Sequence, residues 1–107
     1  MGATLLRQTK YIDADGDLVE LALWQVVRSA KYPDGLRYRL TFVPAGTGMP
    51  VVLYDNHHPK GHHRHRGRVE QPYPFTTVAR LLRDFLRDVR RVKAAIKNRR
   101  THDEGTD

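Results

Sequence analysis

The chemistry of this 107-residue chain is concentrated in residues 57–65, which hold five of its six histidines. Imidazole titrates near pH 6.5, so one histidine can take up a proton while a second gives one away. His63 and His65 are two residues apart, and on a strand their side chains share a face, with Cα atoms roughly 6–7 Å apart. With Lys60 and Arg64 beside them, the pair predicts cleavage of RNA. In that reaction a base deprotonates the 2′-hydroxyl, an acid protonates the leaving 5′-oxygen, and a cation stabilises the phosphorane.

Other interpretations of this segment stay open at this point. His-x-His also suits zinc, nickel or copper, with Asp55 or Glu70 as a further ligand, whereas the flanking cations disfavour a bound dication. The segment could also be a solvent-exposed loop with adventitious metal affinity, or part of a module that binds nucleic acid or a protein without catalysis. We predict the acid–base chemistry, with no metal and no cofactor.

The charge of the chain favours a polyanionic partner. Lysine and arginine number 19 against 12 acidic residues, and the formal net charge is +7. Basic residues are concentrated in 57–68 and 76–100, a distribution typical of proteins that bind nucleic acid. Arginine also matches the geometry of phosphate oxygens.

Two sets of candidate site residues follow from these patterns. The predicted catalytic residues are His63, His65, Lys60, Arg64 and Tyr54. The predicted substrate-binding residues are Asp55, Asn56, Arg66, Arg68, Arg83 and Arg87.

Composition excludes several classes of protein. There is no cysteine, which excludes disulfides, thiolate catalysis and cysteine-based metal centres and fits a reducing cytoplasm. No apolar run approaches the roughly 20 residues of a membrane helix, and residues 1–10 do not resemble a secretory signal. Neither a G-x-G-x-x-G motif nor a P-loop is present. We expect a cytoplasmic protein that does not contact a membrane.

The hydrophobic pattern predicts one α+β domain over residues 1–100. Short turns favour an antiparallel meander, with four strands at 4–12, 18–27, 36–42 and 51–54. A fifth strand is placed at 62–69, after a turn at 58–61, so that its partner brings Tyr54 and Asn56 close to the histidines. In residues 76–100, apolar side chains recur every three or four residues. This pattern predicts one long amphipathic helix, capped by Thr76 or Thr77. The predicted fold is therefore a meander of about four to five strands packed on one C-terminal helix, followed by a disordered tail, 101–107.

Strand 18–27 carries apolar side chains on both of its faces. One face is expected to pack on the helix, and the other, with Trp24 and Val26, needs a different cover. A second copy of the chain or a protein partner would provide it.

The residues around the histidines also resemble a known family. Tyr54-Asp55-Asn56, then Lys60-Gly61 and His63-Arg64-His65, is similar to the Tyr-Asp-Asn…Lys-Gly-x-His-Arg-His signature of the TumE family, small toxins of bacterial and archaeal toxin–antitoxin pairs. Weaker similarity runs along most of the chain, including Trp24-Gln25-Val26 and the entry to the helix. The resemblance leaves His57, His58 and His62 as variable positions.

This resemblance implies a growth-inhibiting toxin whose antitoxin is encoded nearby and is usually a helix-turn-helix protein. It also implies ribonuclease or other translation-directed action, with RNA or the ribosome as the target. The second face of the sheet, around Trp24 and Val26, is then the candidate antitoxin surface.

Overall fold

The fold is a six-stranded antiparallel meander backed by one helix. A computed structural model describes residues 2–105, with side chains described through residue 99. The strands follow one another in the sheet in chain order. They are β1 (Thr4–Ile12), β2 (Leu18–Gln25), β3 (Leu36–Val43), β4 (Val52–Asp55), β5 (His63–Arg66) and β6 (Val69–Pro72), and they precede helix α1 (Val78–Gly105). The predicted α+β meander is confirmed, with one or two strands more than expected.

Period-two patterning fixes the two faces of the sheet. In β3, Leu36, Tyr38 and Leu40 are buried, while Arg37 and Arg39 are exposed on the other side. Because neighbouring strands are in register, the buried apolar residues of β2 and β4 lie on the same face as Leu36, Tyr38 and Leu40 of β3.

Helix α1 packs against this buried face, over β4. Leu81, Phe85 and Val89 project from the helix into the core. Burial of such side chains contributes about 1.5–3 kcal/mol each, and it holds the helix against β4. Within residues 2–105 no helix packs on the opposite face of the sheet.

The ends of the helix differ from the prediction in one place. The backbone N–H of Arg80 donates to Thr77 Oγ1 at 3.1 Å, so Thr77 is the N-terminal cap, as predicted. The helix continues to Gly105 and therefore includes residues 101–105, which the sequence analysis placed in a disordered tail. Residues 106 and 107 of that tail lie outside the described residues.

The predicted fifth strand, 62–69, is two strands. β5 ends at Arg66, and Gly67 and Arg68 form a tight turn into β6, with Arg66 paired to Val69. Gly67 has a φ of 62°. A glycine of positive φ at the first central position is typical of the two-residue turns that match the twist of a hairpin. The resulting β5–β6 hairpin places Glu70 and Gln71 beside the His-Arg-His segment.

Candidate active site on the open face of the sheet

The register between β4 and β5 divides the predicted catalytic residues between the two faces of the sheet. Asp55 pairs with His63, and Tyr54 pairs with Arg64. Since paired residues share a face and successive residues alternate, His63, His65 and Asp55 lie on the open face. Tyr54 and Arg64 lie on the face that the helix covers. The expectation that Tyr54 and Asn56 lie next to the histidines is therefore wrong.

The two histidines of the open face are neighbours. The ring centroids of His63 and His65 are 5.3 Å apart, at an interplanar angle of 72°. His63 Nδ1 is 2.8 Å from the carbonyl oxygen of Gly61. A carbonyl only accepts, so Nδ1 carries the proton in this bond, and in the neutral ring the lone pair is then on Nε2. Only 8% of His63 is exposed, which fixes the ring in this orientation.

Lys60 and Glu70 complete the cluster. Lys60 Nζ donates to Glu70 Oε1 at 2.7 Å, and His65 Nε2 lies 3.8 Å from the same oxygen. The hydrogen bond from Lys60 lowers the pKa of Glu70 below its usual value, and the charges of Lys60 and the histidines add to this effect. Glu70 is in neither set of predicted site residues and is considered only as a ligand in the alternative metal-binding interpretation. The sequence signal that points to it is the Gly67-Arg68 turn, which folds β6 back onto the histidines.

Asp55 lies next to the histidine pair and holds an arginine of β3. Arg39 Nη1 is 3.3 Å from Asp55 Oδ2. Asn56 has a different position, because it is buried and only 3% of it is exposed. Its side-chain oxygen accepts from the backbone of Tyr38 and its amide donates to Leu36 O. Asn56 therefore fastens the end of β4 to β3 and does not face solvent.

A hollow of about 660 Å³ continues this face toward β2. Its lining includes Trp24, Arg37, Arg39 and Asp55. The Arg37 guanidinium carbon lies 5.9 Å from the centroid of the Trp24 ring. Arg37 and Arg39 are absent from the predicted site residues, although their alternation with buried residues in β3 places both on the open face.

Tyr54 and Arg64 belong to a buried network on the helix side. Tyr54 Oη donates to Asp88 Oδ2, and Arg64 Nη1 donates to Tyr54 Oη at 3.1 Å. Arg64 also lies 3.7 Å from Asp88 Oδ2. With its side-chain oxygen turned toward the guanidinium, Gln71 accepts from Arg64 Nε at 2.9 Å and Nη2 at 2.8 Å. Burial and the bond to Asp88 raise the pKa of Tyr54 to about 12, so this phenol stays protonated at neutral pH.

A second tyrosine–aspartate pair engages the helix arginines. Tyr73 Oη donates to Asp84 Oδ2 at 2.7 Å, and Arg83 and Arg87 lie 3.6 and 3.4 Å from Asp84 Oδ1. Burial acts to raise the pKa of Asp84, but the bond from Tyr73 and the arginine charges outweigh it and lower that pKa. Arg83 and Arg87 therefore lie with the helix, apart from His63 and His65.

The remaining predicted arginines also lie away from the histidine pair. Arg66 pairs with Val52 on the helix-side face, and Arg68 is exposed in the β5–β6 turn. His62 has a structural position: its ring stacks on Phe75 at 4.6 Å and bonds to Tyr38 Oη at 2.9 Å.

In the described part of the chain, no helix combines the length and the apolar character needed to cross a membrane.

Fold and site together define a small α+β protein with a bare sheet face that presents a histidine pair among cations. Residues 3–93 match the family model described as Toxin TumE. The chain therefore belongs to the Toxin TumE family, whose members are toxins of toxin–antitoxin systems, and a cognate antitoxin is its implied partner. No curated protein and no solved structure matches the chain.

Proposed function

We propose that this toxin inhibits growth by cleaving RNA in the cytoplasm, through metal-independent acid–base catalysis by His63 and His65. The observation that carries the proposal is the pair itself: two imidazoles with ring centroids 5.3 Å apart on the face opposite helix α1, one of them oriented by the Gly61 carbonyl. Such a pair can take up one proton and deliver another across a single phosphodiester.

We infer a separate role for each histidine from the hydrogen bonds that each one makes. In the neutral imidazole the bond from Nδ1 to Gly61 leaves the lone pair on Nε2, so His63 is the histidine placed to act as the base that removes the 2′-hydroxyl proton. The 2′-oxygen then bonds to phosphorus while the bond from phosphorus to the 5′-oxygen breaks. His65, in its protonated form paired with Glu70, gives its proton to the departing 5′-oxygen. The products are a 2′,3′-cyclic phosphate and a 5′-hydroxyl end.

Lys60 supplies positive charge to this reaction. Its side chain is 60% exposed, and its ammonium lies on Glu70 Oε1, the oxygen that His65 Nε2 approaches at 3.8 Å. From there it can reach the non-bridging oxygens of a phosphate, whose charge grows in the transition state.

The hollow around Trp24 gives the RNA a path to the histidines. β2 and β5 are three strand spacings apart, about 14 Å, which exceeds the reach of a mononucleotide. Aromatic rings that stack on bases and arginines that follow the backbone are typical of single-strand binding. Trp24, Arg37 and Arg39 would provide both.

The test follows RNA integrity in a translating bacterial extract after addition of the purified protein. Wild type is compared with His63→Ala and His65→Ala, with exposed His58→Ala as the matched control and with chelator added to a parallel sample of ribosome-free RNA. We expect wild type and His58→Ala to cleave and the other two variants to be inactive. Intact RNA in every sample would reject the nuclease and leave a module that binds RNA or a partner without catalysis.

The antitoxin is proposed to cover the same open face. Trp24 is half-buried on it, and Val26 is half-buried just beyond β2. A partner seated there would close the hollow and block the histidines. If alanine at both Trp24 and Val26 left solubility and antitoxin binding unchanged, the antitoxin would have to bind elsewhere.

A further inference from the structure

We propose that His63, His65 and Glu70 form a binding site for Zn²⁺ and that zinc, once bound, inhibits the nuclease. The second half of this proposal rests on the proposed function, whereas zinc binding stands on the geometry alone. The metal is an inhibitory ligand here, because it would take the imidazole lone pairs that acid–base catalysis needs.

The β5–β6 hairpin supplies the three ligands. His63 and His65 share a face of β5, and Glu70 pairs directly with His65 across the hairpin. One ligand atom from each residue lies within 4.8 Å of the other two. Zinc bonds to nitrogen and oxygen are about 2.0–2.2 Å long, so small side-chain rotations would close the three atoms around the ion. A water molecule can take the fourth position.

The surroundings of His63 match those of a metal ligand. Histidines that bind metal usually donate their second ring N–H to a carbonyl or carboxylate, which fixes the tautomer and directs the other nitrogen at the ion. The bond from His63 Nδ1 to Gly61 O does this at 2.8 Å and leaves Nε2 for the metal.

Lys60 is the direct competitor of the ion. Its ammonium occupies Glu70 Oε1 at 2.7 Å, and its side chain is 60% exposed, so the lysine can leave without unfolding anything. The cluster therefore has two states: Lys60 binds the Glu70 carboxylate in one, and zinc binds it in the other. Affinity for zinc should rise when the lysine charge is removed.

Binding is measured by titrating untagged full-length protein with Zn²⁺ in a calorimeter. We expect one ion per chain. His65→Ala and Glu70→Gln should weaken binding by at least the roughly 10–100-fold that follows loss of an outer-shell partner. Lys60→Met should tighten binding about two- to fivefold, the range of an exposed ion pair. His57→Ala, an exposed histidine outside the cluster, is the matched control and should change nothing.

The site is rejected if wild type binds no stoichiometric zinc, or if His65→Ala and Glu70→Gln both bind as wild type does. A loss of binding in His57→Ala alone would also reject it, since the ion would then sit on the preceding loop.

A cleavage assay with one equivalent of zinc tests the inhibition. The proposed inhibition is supported if the cleavage rate falls as zinc saturates the protein and recovers when chelator is added. Unchanged cleavage by zinc-saturated protein would overturn the proposed inhibition but not the proposed zinc site. Cleavage that requires zinc would overturn both inhibition and the metal-free mechanism. If the protein cleaves no RNA at all, the proposed function and the inhibition fail together, while the titration still decides the site.

Discussion

Arg64 donates a hydrogen bond of 3.1 Å to Tyr54 across β4 and β5, on the face of the sheet that the helix covers. Its sequence neighbours His63 and His65 point to the other face. One short segment thus serves two purposes, because alternate residues of a strand face opposite ways. Its odd-numbered residues form the open histidine pair, and Arg64 closes a buried network against Asp88.

The first prediction concerns that network. Tyr54→Phe removes the hydroxyl that donates to Asp88, a side chain that is only 1% exposed. Leaving a buried acceptor without its donor costs about 1–3 kcal/mol, so we expect the free energy of unfolding to fall by that amount. Arg64→Met removes one partner of a buried ion pair and should cost about 3 kcal/mol or more. Denaturation in urea measures both losses.

The matched comparison for these variants is His65→Ala, on the open face. It should leave the free energy of unfolding within about 0.5 kcal/mol of wild type, as surface changes usually do. If Tyr54→Phe were as stable as wild type and yet inactive on RNA, Tyr54 would be a catalytic residue, as the sequence analysis predicted.

Much of the fold could be predicted from the sequence, because period-two and helical patterns are local. The alternation of Leu36, Tyr38 and Leu40 with arginines identified β3 and its two faces. The register of β4 against β5 is not local: a shift by one residue exchanges the faces of a whole strand. For this reason Tyr54 was expected beside the histidines.

The helix shows the same limit in another form. Asp84 and Asp88 lie at spacings that suit pairs with surface arginines, and Arg80 and Arg87 do approach Asp84. Their buried partners, Tyr73 and Tyr54, are 11 and 34 residues away in the chain. No local pattern connects residues so far apart, so the sequence analysis missed both tyrosine–aspartate pairs.

The second prediction separates the two groups of arginines. Arg39 lines the hollow of the open face, whereas Arg83 lies on the helix beside Asp84. If RNA follows the open face, Arg39→Ala should weaken RNA binding. It should also make the slope of log K against log salt shallower by roughly the amount that one phosphate contact contributes. Arg83→Ala should leave both quantities unchanged. Fluorescence anisotropy with a labelled single strand, repeated at several salt concentrations, measures them. The reverse result would place the RNA on the helix.

The third prediction concerns base stacking in the hollow. Trp24→Ala should weaken binding of a single-stranded RNA by about 1–3 kcal/mol, the contribution of one stacked base. Because Trp24 lies on the face away from the core, the urea midpoint should change little. The same titration with a fully paired duplex, whose bases are not free to stack on a side chain, is the control. Equal losses for single strand and duplex would argue against stacking on Trp24.

The fourth prediction uses the lysine that ties the helix to the first hairpin. Lys93 Nζ lies 2.6, 2.8 and 2.8 Å from carboxylate oxygens of Asp13, Asp15 and Asp17. The bond from Lys93 is the largest cause that lowers the pKa of Asp13 below its usual 3.8. Burial acts to lower the pKa of Lys93, but the three carboxylates outweigh it and raise that pKa above its usual 10.5.

These shifts set the pH range in which the cluster stabilises the fold. A lowered carboxyl pKa gives stability that is present above about pH 4 and is lost as the pH falls through the folded-state value. The raised lysine pKa gives stability that is present below about pH 10 and is lost as the pH rises further.

Lys93→Met should therefore reduce the free energy of unfolding by about 1–3 kcal/mol at pH 7, between the effects of exposed and buried pairs. In urea titrations the difference in free energy of unfolding between Lys93→Met and wild type should be smaller at pH 3 than at pH 7. The control is Arg90→Met, an exposed change on the same helix, which should differ little from wild type at either pH. If Lys93→Met lowered the free energy of unfolding equally at pH 3 and pH 7, Lys93 would act through its contact with the Phe42 ring, whose centroid lies 5.7 Å from Nζ, and not through the three aspartates.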